Sequence, residues 1–194
     1  MAGPLWSDHV APLNRLVQLW RTDTDPPRFV PWFDPDSGGV GARVLVLLQS
    51  PAAATVQAGP GSLSSEDNPN ASSRALRAAR IEAGLRRTDY LRWNIIPWAA
   101  PGPGPPALAD LDDARPALHA LLRLLPELTG IVTLGNHALT GMMRYYTLHP
   151  DPVITCVLAA PHPSPANGHR RAERHERMVR ALQRAVRASS IPRS

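Results

Sequence analysis

A histidine set between two prolines, in "APHPSP", closes the otherwise apolar run "VITCVLAA" at Ala160. Proline fixes its own φ and restricts the residue before it, so His162 sits on stiff backbone that resists both helix and strand. Its imidazole is thereby held still for whatever it faces. Other apolar runs end in polar groups as well: Gln49-Ser50-Pro51 after "ARVLVLL", Asn94 ahead of Pro97, and Gly135-Asn136-His137 after "GIVTL". Together they offer an amide, hydroxyl groups and an imidazole, the makings of a hydrogen-bonding site.

The elements that must carry these groups follow from the apolar pattern. Residues 8–21 predict a helix, followed by a proline-rich connection; the run 42–48 predicts a buried parallel strand. Residues 50–71 form a long Gly, Pro, Ala and Ser-rich loop bearing Glu66, Asp67, Asn68 and Asn70 near its end. Ser72 or Ser73 is expected to cap the helix "SRALRAARIEAGL", which Gly84 stops. The strand "DYLRWNII" ends at Pro97, and the proline-rich "AAPGPGPPALAD" is expected to be irregular. After it come a helix over 110–125, a strand over 130–134, the helix "NHALTGMMRYY", the strand "VITCVLAA" and a last helix over 169–188.

Strands alternating with helices predict a doubly wound fold, a three-layer α/β/α arrangement around a central four-stranded parallel sheet. Residues 1–41 read as a helix and connection packed on that core, 42–188 as the domain proper and 189–194 as a tail. In such sheets ligands bind beyond the carboxyl ends of the strands, which is where Gln49, Ser50, Asn94, Gly135, His162 and Ser164 fall.

Composition narrows the classes. A chain of 194 residues with 43% hydrophobic content supports one domain. No apolar run reaches the roughly 18 residues of a membrane helix, and "MAGPLWSDHV" lacks a basic region before an apolar core, so a cytoplasmic protein is expected. Cys156, the single cysteine, excludes an internal disulfide and a cysteine-only zinc or iron–sulfur site; it reads as a buried, inert thiol. The spacing of His169 and His175 does not put two ligands on one helix face, so no metal is assigned. All 21 basic residues are arginine, the formal charge is +5 and the pI is about 10.5, which fits an anionic partner. In the last helix Met178, Val179, Leu182, Ala185 and Val186 recur at helical spacing, so its arginines read first as a solvated face.

Taken in order, "LQSPAAAT", "NIIPW", "TLGNHA" and "HPSP" resemble the strand-end motifs of the uracil-DNA glycosylase superfamily over residues 42–188. The resemblance implies cleavage of the N-glycosidic bond of a damaged base, typically uracil, after the nucleotide is flipped from the stack. It implies that His162 donates to the leaving base and that Asn94 reads uracil, accepting from N3–H and donating to O4. Gln49, Ser164 and Leu63 would help bind the base, and Arg170 and Arg171 would grip phosphates. Trp93 and Trp98 read as core or rim residues. No cofactor is implied, and a monomer is expected.

The pattern departs from the family at three points. Ser50 stands where the first motif usually carries an aspartate or asparagine that positions water and stabilises the cationic sugar. Asp67 or Glu66 could supply a carboxylate if the loop folds back over the pocket. Ala52 follows Pro51 where uracil-specific members carry a bulky tyrosine, so larger bases such as hypoxanthine or xanthine are not excluded. "ANGHRR" after "HPSP" lacks a large apolar wedge, which favours single strands or mismatches, where flipping costs less. The rival readings are a catalytically silent nucleic-acid binder on this fold and a hydrolase of small nucleosides or nucleotides.

Overall fold

The computed structural model describes residues 4–99, 104–163 and 170–189. Ser164, the centre of the linker at 100–103 and the tail residues 190–194 lie outside the described residues.

The elements in chain order are α1 (Ala11–Thr22), β1 (Trp32–Phe33), β2 (Val44–Leu48), α2 (Ala53–Gln57), β3 (Leu63–Ser64), α3 (Ala71–Glu82) and β4 (Tyr90–Asn94). They continue with α4 (Leu108–Asp113), α5 (Arg115–Arg123), β5 (Gly130–Leu134), α6 (Asn136–Leu148), β6 (Cys156–Ala160) and α7 (Arg171–Ser189). The main sheet is all parallel in the order β4-β2-β5-β6, as the alternation predicts. β2, β4 and β5 are buried at every residue; β2 accordingly reads as an unbroken apolar run, while β4 carries Arg92 and Asn94 and β5 carries Thr133 among their apolar residues.

One face of the sheet is covered by α1, α4, α5 and α6. There Leu13, Val17, Phe33, Leu45, Trp93, Leu121, Ile131 and Tyr145 form the larger core. Phe33 stacks on Trp93 with ring centroids 3.6 Å apart, worth about 1 kcal/mol beyond burial. On the other face, α3 and α7 pack Leu76, Ala79, Met178 and Leu182 against Val44, Val46 and Val132. Gly141 lets α6 approach closely, since a Cβ there would lie 2.4 Å from Ile95 Cγ1.

Four expectations need correction. The long loop 50–71 contains α2 and β3, and β3 pairs in parallel with β1 to form a second, two-stranded sheet. The cap of α3 is Asn70, whose Oδ1 accepts from the Ser73 N–H at 2.8 Å; Ser73 is instead buried. The helix 110–125 is two helices broken at Ala114, because Pro116 has no N–H to continue the ladder. Cys156 is exposed, because β6 is the sheet's outer strand and Cys156 begins it. Gly84 does follow the end of α3 in a left-handed conformation, with φ of 72°.

Candidate active site at the carboxyl edge of the sheet

The register lines up the strand ends. Leu48 pairs with Asn94 on one side, Leu47 with Thr133 on the other, and Leu134 with Ala160. Asn94, Leu48, Leu134 and Ala160 therefore occupy one row, the last of the sheet. Side chains alternate along a strand, so Asn94 shares the α3/α7 face with Leu48, Leu134 and Ala160. The ladder runs slightly further: the Ile95 N–H donates to the Leu48 carbonyl at 2.7 Å and the Ile96 N–H to the Gln49 carbonyl at 3.0 Å. Half-buried Gln49 and Ser50 are thus brought beside the end of β4.

Asn94 is 6% exposed. No described residue hydrogen-bonds its carboxamide, yet neither amide atom is among the sealed, unpaired polar atoms, so the group opens onto solvent. A buried amide that tied down the following turn would be satisfied by it. This one is left with its donor and acceptor available.

His162 is placed by β5 and β6 jointly. The Gly135 N–H donates to the Ala160 carbonyl at 2.9 Å, and Gly135 takes φ of 95°, a conformation side chains disfavour. The His162 ring lies against it, with Cδ2 3.5 Å from where a Gly135 Cβ would sit. Burial pushes the His162 pKa below the ordinary value, and the charges of Arg92 and His137 push the same way. The imidazole is therefore neutral at pH 7, able to donate from one nitrogen. His137 belongs to the strand-end groups read from the sequence, whereas Arg92 escaped notice as a site residue; the available signal was an arginine at an inward position of "YLRWN".

Arg92 itself is 9% exposed. Its Nη1 donates to the Ser65 carbonyl and, at 3.0 Å, to the Ser73 hydroxyl, while its Nε is sealed without a partner. Among the described residues no carboxylate comes within salt-bridge distance of it.

The loop carboxylates are occupied elsewhere. Glu66 takes both Arg80 Nε and Nη2, at 2.7 and 2.8 Å, and the Tyr90 hydroxyl at 2.7 Å. Asp67 is paired with Arg77 at 3.1 Å and Arg87 at 2.6 Å. Tyr90 opens β4 and Arg87 precedes it, whereas Asn94 closes it, about 13 Å further along the strand. Gln49, Ser50 and Asn94 thus adjoin at the ends of β2 and β4, His162 follows the end of β6 at the same carboxyl edge, and Asp67 and Glu66 are anchored toward the other end of β4. Leu63 is held in the small sheet opposite Trp32, its carbonyl accepting from Asn68 Nδ2 at 2.9 Å. Trp93 is in the core and Trp98 packs against it.

Beside His162 a groove of about 610 Å³ runs between α3 and α7. Pro161 and Pro163 form one wall, Ala75 and Met178 contribute apolar surface, and Arg74 and Arg171 stand on opposite helices. Both arginines are exposed, and neither has an ion-pair partner among the described residues. Arg170 is also exposed, 3.5 Å from Glu173. Among the described residues no group of three metal-ligating side chains occurs, and no helix is long and apolar enough to cross a membrane.

No curated protein matches the chain significantly. The model of the Uracil DNA glycosylase superfamily does match, over residues 35–186. That span takes in all four strands of the main sheet and every residue at its carboxyl edge, and the chain belongs to this superfamily, whose members typically hydrolyse N-glycosyl bonds.

Proposed function

We propose that the protein is a DNA glycosylase of base excision repair that removes deaminated bases, uracil first, with hypoxanthine or xanthine as further substrates. The observation that carries this reading is the Asn94 carboxamide, buried at the end of β4 yet open and unpaired, in the strand-end row that His162 follows. One amide can accept from uracil N3–H and donate to O4, whereas cytosine presents the opposite pattern.

The flipped nucleotide places its base against Asn94, with Gln49, Ser164 and Leu63 as further walls. His162 donates a hydrogen bond to the carbonyl next to the glycosidic nitrogen. As the bond from the sugar's C1′ to the base nitrogen breaks, its electron pair leaves with the base, and the donated hydrogen bond stabilises that anion. Water adds to the cationic C1′ and loses a proton; the base ends with a proton on nitrogen and the strand with an abasic sugar. Ser50 is the group at this edge that orients the water. The ion pairs of Asp67 argue against its taking that part.

Two features support a broad substrate range and single-stranded DNA. Ala52 is small and exposed, so no bulky side chain at that position closes the pocket. The groove flanked by Arg74, Arg171 and Arg170 suits a phosphate backbone leaving the pocket. The silent-binder reading draws on the same edge, where the described residues include no carboxylate to stabilise a cationic sugar.

Alkaline strand scission separates the two. Single- and double-stranded oligonucleotides carrying one uracil, hypoxanthine or xanthine are incubated with the full chain. Glycosylase activity predicts cleavage at the lesion, faster on the single strand. DNA binding with no abasic product at stoichiometric protein would favour the silent binder.

A further inference from the structure

We propose that Arg28, laid on the indole of Trp98, contacts a backbone phosphate of the DNA, so that the single strand crosses the carboxyl edge of the sheet from the groove between α3 and α7 to the far side of β4. The path rests on the glycosylase reading; the phosphate contact itself does not.

Among the described residues three arginines lie over aromatic rings, and two of them are also held by their hydrogen bonds. Arg21, 4.0 Å from the centre of the Trp32 ring, donates to the carbonyls of Val30 and Pro60. Arg80, over Tyr90, is paired with Glu66 at 2.7 Å. Arg28 differs. Its guanidinium carbon is 4.1 Å from the centre of the Trp98 ring, its side chain has no hydrogen-bond or ion-pair partner among the described residues, and none of its nitrogens is sealed from solvent. A stacked guanidinium spends its face on the ring and keeps its in-plane N–H groups free, and that free fork is what grips a phosphate. The indole therefore holds the charge in place without using its donors.

The pair is fastened to the end of β4. The Ala99 N–H donates to the Phe29 carbonyl at 3.0 Å, and the neighbouring Val30 and Pro97 are buried, so the chain around Arg28 is tied to the segment that follows Asn94. Trp98 lies four residues beyond Asn94 and packs on the core beneath α1, α4, α5 and α6. The groove with Arg74 and Arg171 opens on the other side of the sheet and reaches Pro161 and Pro163, just after β6. β4 and β6 are the two outer strands, three strand spacings or about 14 Å apart. Two sets of arginines thus stand on either side of the row of strand ends, and a strand that joins them passes Asn94. Their charge attracts the phosphates on both sides of the flipped nucleotide.

Binding of a lesion-free single-stranded oligonucleotide by the full chain, followed by fluorescence anisotropy across a salt series, tests the contact without catalysis. R28A and R28Q should weaken binding and flatten the slope of log affinity against log salt by about 0.7, the share of one phosphate on a single strand. R28K keeps the charge and should keep the slope. W98A should lose affinity although thermal melting shows it folded, and W98F, which restores a ring beneath the guanidinium, should recover it. Because Trp98 acts through Arg28, R28A/W98A should bind as R28A does. Parent-like affinity and slope in R28A, or parent-like affinity in a folded W98A, would overturn the proposal. So would inorganic phosphate that, at matched ionic strength, competes against the parent but not against R28A, since it would mark a site for free phosphate. The path is read with a 2′-fluorinated uracil nucleotide, whose glycosidic bond resists cleavage, in strands whose phosphates are replaced one at a time by neutral methylphosphonate. The replacement that weakens the parent but not R28A should lie on one side of the lesion, and the one that R74A/R171A ignores on the other; both on the same side would contradict the crossing. Should the parent excise no base at all, the glycosylase reading fails while the lesion-free salt series still decides whether Arg28 meets a phosphate.

Discussion

A Cβ placed on Gly135 would lie 3.0 Å from the Cβ of His162, tighter than side chains normally approach. The two strand ends are fitted to one another: the turn after β5 makes room for the histidine that follows β6, and the left-handed φ at Gly135 makes that room available.

Gly135→Ala should therefore act at a distance from any substrate. The strained backbone costs about 1–3 kcal/mol, and the added methyl displaces His162. A lowered melting temperature together with a loss of excision larger than the loss of folded protein is expected. Full excision by the folded variant would show that His162 tolerates displacement.

Asn94→Ala separates recognition from architecture. The carboxamide has no described partner, so its removal should cost under about 1.5 kcal/mol of stability. Uracil excision should fall by at least about 100-fold, because the site loses both hydrogen bonds to the base. Thermal melts beside single-turnover rates check this, and a large loss of stability would identify a structural asparagine instead.

Glu66→Ala should unfold the protein readily, by about 3–5 kcal/mol, since it strands Arg80 and the Tyr90 hydroxyl. Burial alone would raise the Glu66 pKa; the hydrogen bonds from Arg80 and Tyr90, with the Arg80 charge, outweigh it and hold the carboxylate below its usual range. The folded state thus keeps Glu66 ionised where the unfolded chain would protonate it. Its stabilisation is complete above the unfolded value, about 4.3, and is lost as pH falls through the lower folded value. Melting temperatures of parent and variant should converge toward acid pH.

Arg74→Ala with Arg171→Ala probes the groove. If each arginine meets one phosphate, the slope of log affinity against log salt on single-stranded DNA should flatten by about 0.7 for each. An unchanged slope would place the backbone elsewhere.

The main sheet was legible because parallel strands packed between helices leave largely apolar runs, and the strand-end groups followed from where those runs stop. What escaped depended on partners distant in sequence. β1 and β3 are two residues each, too short for a periodic signal, and their pairing joins Trp32 to Leu63. The case for Asp67 came from the resemblance and from a loop able to fold back over the pocket, but Asp67 is paired with Arg77 and Arg87, a choice no local pattern encodes. Cys156 read as buried because its neighbours are apolar, whereas exposure depended on β6 lying at the outside of the strand order.

The most direct measurement is the single-turnover rate of base release from a single-stranded oligonucleotide bearing one uracil, comparing the parent protein with His162→Ala. Loss of the hydrogen-bond donor to the departing base should slow release by about 100-fold or more while DNA binding persists. Equal rates would contradict the account, and with it the assignment of His162 as the group that stabilises the leaving base.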